Sequence, residues 1–236
     1  MSRRWLLLCL CSLMMLTGCA GVDMAHGTTN PYWTEECEGC QVILRDSAAT
    51  QGDLEVVLLS DGQETVLKTL TGAKSENVFA EHFTNVMGWN GFRLTERQGQ
   101  AVGNREDDWS IRTYYMVESG GARKIAESFG WGAPQDYSVD LEGDGVKELV
   151  SNVVYGGDGH QNAYVYQRRG DEVWLGTVNT EGLPDHDNWG VNSTAVIYDP
   201  ARNVFQIKYS VKNQEEPGLL ETSGLERLEF YPFDKP

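Results

Sequence analysis

Short runs rich in β-branched and aromatic residues, each ended by Gly, Asp, Asn or Pro, recur along this chain and leave little room for a long helix. Residues 54–59 and 65–70 flank Ser60-Asp61-Gly62-Gln63, and an Asp-Gly pair between two such runs is a strong hairpin signal. Residues 91–97 and 109–118 follow. In the second of these Ile111, Thr113, Tyr115 and Val117 alternate with Arg112, Tyr114, Met116 and Glu118, the period of a strand. Gly120-Gly121 turns the chain into 122–129; residues 163–167 and 172–178 flank Arg168-Arg169-Gly170-Asp171; 191–198 and 203–211 flank Asp199-Pro200; and 225–230 closes the series. About a dozen short strands with turns roughly every 8 to 12 residues predict an all-β chain, an antiparallel meander, a sandwich or partial propeller-like sheets. One short helix is expected, over 75–86.

The stretch 137–155 reads YSVDLEGDGVKELVSNVVY and carries the densest chemistry. Asp140, Glu142, Asp144 and Glu148 stand at the first, third, fifth and ninth positions of a loop, with Gly145 sixth. Alternate carboxylates in a tight turn can point at one centre, and the carbonyl of Val146 supplies the oxygen at the seventh position. An EF-hand needs a glutamate at the twelfth position and helical flanks; here that position is Ser151 and both flanks are β-formers. The loop instead resembles the calcium loops of FG-GAP and VCBS repeats, the integrin-like pattern that joins two strands, and Phe129-Gly130-Trp131-Gly132-Ala133-Pro134 upstream loosely echoes the FG-GAP signature. Glu142 and Glu148 replace the shorter acids of that pattern. The resemblance implies a propeller-type blade with one calcium ion in a hairpin. A solvated turn built on Gly143 and Gly145 is the plain alternative, but four carboxylates within nine residues repel one another unless a cation neutralises them.

Charge narrows the partners. With 35 acids against 19 bases the net charge is −16 over 236 residues, a surface that repels phosphate backbones and excludes nucleic acid as the expected ligand. Forty per cent hydrophobic residues suffice for a core.

Membrane attachment, if any, comes from the start of the chain. Arg3 and Arg4 precede an apolar run over 5–16, too short to span a bilayer, and Leu16-Thr17-Gly18-Cys19 closes it. The tetrapeptide resembles the lipobox of bacterial lipoproteins. That resemblance implies cleavage before Cys19, acylation of Cys19, and anchoring to the cell membrane or an outer membrane by more than one acyl chain. The expected organisation is a signal peptide over 1–18, a lipidated N-terminus and tether over 19–45, and one extracytoplasmic β domain over 46–236.

Cys37 and Cys40 would then be the two thiols left in the mature chain. Outside the cytoplasm a pair at this spacing can close a small disulfide or remain as inert thiols; the β-like residues after it speak against a redox helix, and no second CxxC completes a zinc site.

Two further loops bear polar side chains. Gly156-Gly157-Asp158-Gly159-His160 lacks the ending of a phosphate loop and reads as a connector, with Asp158 and His160 as candidate ligand-facing groups. Asp185-His186-Asp187-Asn188-Trp189 reads as a turn; Trp89, Trp131 and Trp189, each beside Gly or Asn, are expected to plug the ends of the barrel or sandwich, with a shared sugar- or peptide-stacking surface as the alternative. No GxSxG, HExxH or SxxK motif is present. A surface lipoprotein with a calcium-stabilised β domain that binds an extracellular protein or glycan is therefore the leading expectation. The rival is an extracytoplasmic hydrolase of glycan or cell-wall material, using an acid from the 158–160 or 185–187 loops.

Overall fold

The computed structural model describes residues 31–102, 105–118, 121–131, 135–155, 160–183, 195–209 and 218–233. These form sixteen strands and one 3-10 turn. The expectation of an all-β chain of antiparallel sheets holds.

Strands β1 (Trp33–Cys37), β2 (Cys40–Asp46), β3 (Leu54–Ser60) and β4 (Gln63–Leu70) make a first sheet in chain order. A second sheet repeats the plan with β5 (Val78–Val86), β6 (Trp89–Val102), β7 (Arg105–Glu118) and β8 (Gly121–Trp131). The third contains β9 (Gln135–Val139), β10 (Glu148–Tyr155), β11 (His160–Arg169) and β12 (Glu172–Val178), with β16 (Leu228–Pro232) added beyond β12. The fourth holds only β13 (Ala195–Asp199), β14 (Val204–Tyr209) and β15 (Gly218–Ser223).

The sheets stack through three apolar layers. Val42, Leu44, Val56 and Leu58 of the first sheet meet Val78, Phe92, Leu94 and Tyr115 of the second. Tyr114, Met116, Ile125 and Ala126 on the other side of the second sheet meet Leu149, Tyr166 and Val173 of the third. Val150, Ala163, Val165 and Val178 then face Val196, Tyr198, Phe205 and Ile207 of the fourth. The middle sheets thus bury both faces, which is why Leu149 and Val150, neighbours on one strand, are 2% and 0% exposed.

Two expectations are corrected. The helix over 75–86 is a strand: only Ser75–Asn77 forms a 3-10 turn, and β5 follows, paired with β6. Its hairpin turns at Met87-Gly88, with φ of 51° and 77°, and Met87 is fully buried. Left-handed backbone at both central residues is what a two-residue hairpin requires. The sheet also starts at Trp33, inside the stretch 19–45 expected as a tether, so the part from Trp33 onward is strand. Trp33 packs on the first layer and its indole N–H donates to the Val78 carbonyl at 2.7 Å, while the Tyr32 hydroxyl donates to Asp46 at 2.8 Å.

Candidate metal centre

Strands β9 and β10 are antiparallel, with Glu148 opposite Val139, so 140–147 is the loop that joins them. Gly143 and Gly145 have φ of 75° and 87°. These left-handed glycines fold the loop back over Asp140. The Asp140 carboxylate accepts three backbone N–H groups, Gly143 at 2.6 Å and Asp144 at 3.2 Å on Oδ1 and Gly145 at 2.8 Å on Oδ2. Chiefly the Gly145 bond, with those of the other loop amides, holds its pKa below the usual aspartate value. Asp144 Oδ1 accepts the Val146 N–H at 2.8 Å.

Glu148 is set differently. It is 2% exposed, and its Oε2 accepts the Leu141 N–H at 2.8 Å. Burial raises its pKa, and the negative charges of Glu142 and Asp144 push the same way. Among the described residues no Lys, Arg or His forms an ion pair with any of the four loop acids.

As donor types, the carboxylates of Asp140, Asp144 and Glu148 and the Val146 carbonyl are the hard oxygens that a cation such as calcium takes. A buried carboxylate facing like charges is the observation in favour. The arrangement is nevertheless open. No group of three or more His, Cys, Asp or Glu side chains among the described residues is gathered as a metal-binding cluster. Glu142 is exposed and its Oε2 accepts the Gln167 amide at 3.0 Å.

Four residues upstream lies a polar cluster that sequence reading missed. Asp136 on β9 has a side chain 4% exposed, wedged between the second and third sheets. Its Oδ2 accepts Tyr114 Oη at 2.7 Å and an Arg112 guanidinium N–H at 2.9 Å; its Oδ1 accepts Ser151 Oγ at 2.5 Å. Burial, reinforced by the Asp136 charge, pushes the Tyr114 phenol well above its ordinary value. Arg93 stands beside this group, paired with Glu81, and a cavity of about 150 Å³ opens there against Tyr114, Phe83 and His82. The alternation of Arg112 and Tyr114 with apolar residues was the available signal. It indicates two faces but not that the polar one would be covered.

Cys37 and Cys40 are directly opposed across the two-residue turn Glu38-Gly39, whose φ angles are 51° and 78°. Both are free thiols and both are buried. Burial, then the nearby Glu38 charge, pushes the Cys37 thiol up to about 12, so as a thiol it is unreactive at neutral pH. A directly opposed pair next to such a turn has the Cα separation a disulfide needs.

Trp89 and Trp131 do not form one stacking surface. Trp89 opens β6 and lies between Arg168 at 4.2 Å and Arg123 at 5.3 Å, whereas Trp131 ends β8 at its other end and meets Trp109 edge to face. His160 is the first residue of β11, paired in register with Tyr155. Cys19, Asp158, the 185–187 acids and Trp189 lie outside the described residues.

No protein-family model matches the chain, and no curated protein or solved structure is significantly similar to it.

Proposed function

We propose that this chain is an exported bacterial lipoprotein, anchored through acylated Cys19, whose stacked β-sheets are braced by one calcium ion at the 140–148 loop and serve as a binding module for an extracellular protein or glycan. The observation that carries the calcium reading is Glu148: a carboxylate 2% exposed, bonded to backbone N–H and facing Glu142 and Asp144. Asp140, Asp144, Glu148 and the Val146 carbonyl would hold the ion, with Glu142 recruited from Gln167. When bound, the ion neutralises the loop and ties β9 to β10. The lipobox resemblance supports the anchor, and the absence of a recognised catalytic motif favours binding over hydrolysis.

A ligand that binds only the native state stabilises it by mass action, about 2.7 kcal/mol at a hundredfold excess over Kd. Millimolar calcium should therefore raise the Tm by about 5 to 10 °C, and Asp144→Ala should abolish that rise. An unchanged calcium response in Asp144→Ala would sink the metal site. The anchor is tested separately by Cys19→Ser, which should move the protein from the membrane fraction to the soluble one.

A further inference from the structure

Among the described residues the fourth sheet has three strands. The first two sheets are four-stranded meanders, and the third has four consecutive strands plus β16. After β15 the chain turns at Gly224 (φ 55°) and, rather than returning beside β15, crosses to pair β16 with β12. The fourth sheet stops at β15, and among the described residues no strand pairs with the outer edge of β15.

Natural proteins guard such an edge with Pro, Lys or a bulge. Strand β15 reads GLLETS, has no register shift against β14 and exposes Leu219 at 55%. Its one charge, Glu221, is tied to Arg202 at 2.7 Å. An open groove of about 650 Å³ runs between β15 and β16, with Leu220 and Leu228 among its apolar lining. That volume is within the range of ligand clefts. Its charged lining is four carboxylates, Glu181, Glu221, Glu226 and Glu229, against one guanidinium, Arg227, whose N–H is already given to the Asn179 carbonyl.

We propose that this groove accepts an extended, Lys- or Arg-bearing polypeptide segment of a partner protein, which pairs its main chain with β15 as a fourth strand and sets its basic side chains against Glu181 and Glu226. Main-chain pairing with an exposed edge supplies the affinity and the alternate side chains the selectivity. The acids make the groove a poor host for an acidic strand and so choose between partners. The proposal rests on the binding-module reading and is independent of the anchor and of calcium. The Leu141 carbonyl lies against the Gly224 turn, at 3.4 Å from where a Cβ on that glycine would stand, so calcium is held constant in the test.

The test uses the full chain in detergent micelles and three labelled hexapeptides followed by fluorescence anisotropy: alternating Lys-Val, alternating Glu-Val, and the Lys-Val peptide N-methylated at every residue, so that neither edge of the strand keeps its donors. The Lys-Val peptide should bind saturably, at least tenfold more tightly than the Glu-Val peptide. N-methylation keeps the charge but blocks main-chain donors and adds bulk on the strand, and should weaken binding at least tenfold. The double variant Glu181→Lys, Glu226→Gln should lose binding to a similar degree while keeping its Tm and its calcium shift. Equal binding of the methylated peptide would reduce the effect to charge attraction and overturn strand addition. So would no binding up to about 1 mM, or a self-associated dimer that the peptide fails to dissociate, which would assign the edge to a second copy. Loss of the calcium shift with peptide binding intact would remove the metal reading and leave this one standing.

Discussion

Asp136 and Glu148 sit at opposite ends of the same β9–β10 ladder, both buried, and they solve the problem of a buried carboxylate in opposite ways. Asp136 is complete within the protein: a guanidinium from Arg112, hydroxyls from Tyr114 and Ser151, and donors on both oxygens. Glu148 has backbone N–H groups and a surround of like charge. Burying a charge costs several kcal/mol unless it is paired and hydrogen-bonded. The first site is therefore structural cement between two sheets, and the second is the place where, on the proposed reading, an external cation would improve the balance.

Breaking the first site should have the largest effect. Asp136→Ala removes the buried carboxylate that accepts from Arg112, Tyr114 and Ser151 and should cost about 3–5 kcal/mol, read as a lower urea midpoint at unchanged calcium response. A loss under about 1 kcal/mol would mean that water replaces the carboxylate, and the contrast would collapse.

The second site should change sign with conditions. In chelator, Glu148→Gln removes a desolvated charge facing other acids and should be at least as stable as the parent at pH 7; in millimolar calcium it should be the less stable of the two. Its pH dependence follows from the raised pKa. A glutamate raised in the folded state contributes stability that is fully present below its unfolded value, near 4.5, and is lost as pH rises through the folded value. The advantage of the Gln variant in chelator should thus shrink as pH falls towards that window, measured by denaturant titration at several pH values. A constant gap would mean that Glu148 is not desolvated in solution.

Glu142→Gln sharpens the comparison with the smallest effect. An exposed acid bonded to Gln167 should cost no more than about 0.5 kcal/mol without metal, yet weaken calcium binding several-fold if it is recruited as a ligand. Identical calcium titrations would leave Glu142 out of the site.

The thiol pair offers a check of another kind. In reduced protein Cys37 should resist iodoacetamide at pH 8 until the chain is unfolded, because its buried thiol is held at about 12; rapid native labelling of Cys37 would contradict its burial.

The hairpins were legible where turn chemistry is local. Asp61-Gly62 joins β3 to β4 as the residues predict, and Gly170 turns β11 into β12. The β5–β6 hairpin was not, because Met87 is a poor advertisement for a left-handed turn and its burial, not its propensity, holds it there. The first strand escaped notice because Thr34, Glu35 and Glu36 lie on an edge and make little apolar pattern. The 140–148 spacing was visible because its residues are neighbours in sequence, whereas Arg112, Tyr114, Asp136 and Ser151 come from three strands and meet only through pairing.

By itself the sequence determined the β character, most of the turns and the line of acids in one loop, since each depends on residues within a few positions of one another. The tertiary structure decided which faces are covered, which acid is neutralised by arginine, and that β16 crosses to the third sheet and, among the described residues, leaves β15 at an edge. Those outcomes depend on which sheet lies against which, a choice made by apolar burial summed over distant strands and carried by no local pattern.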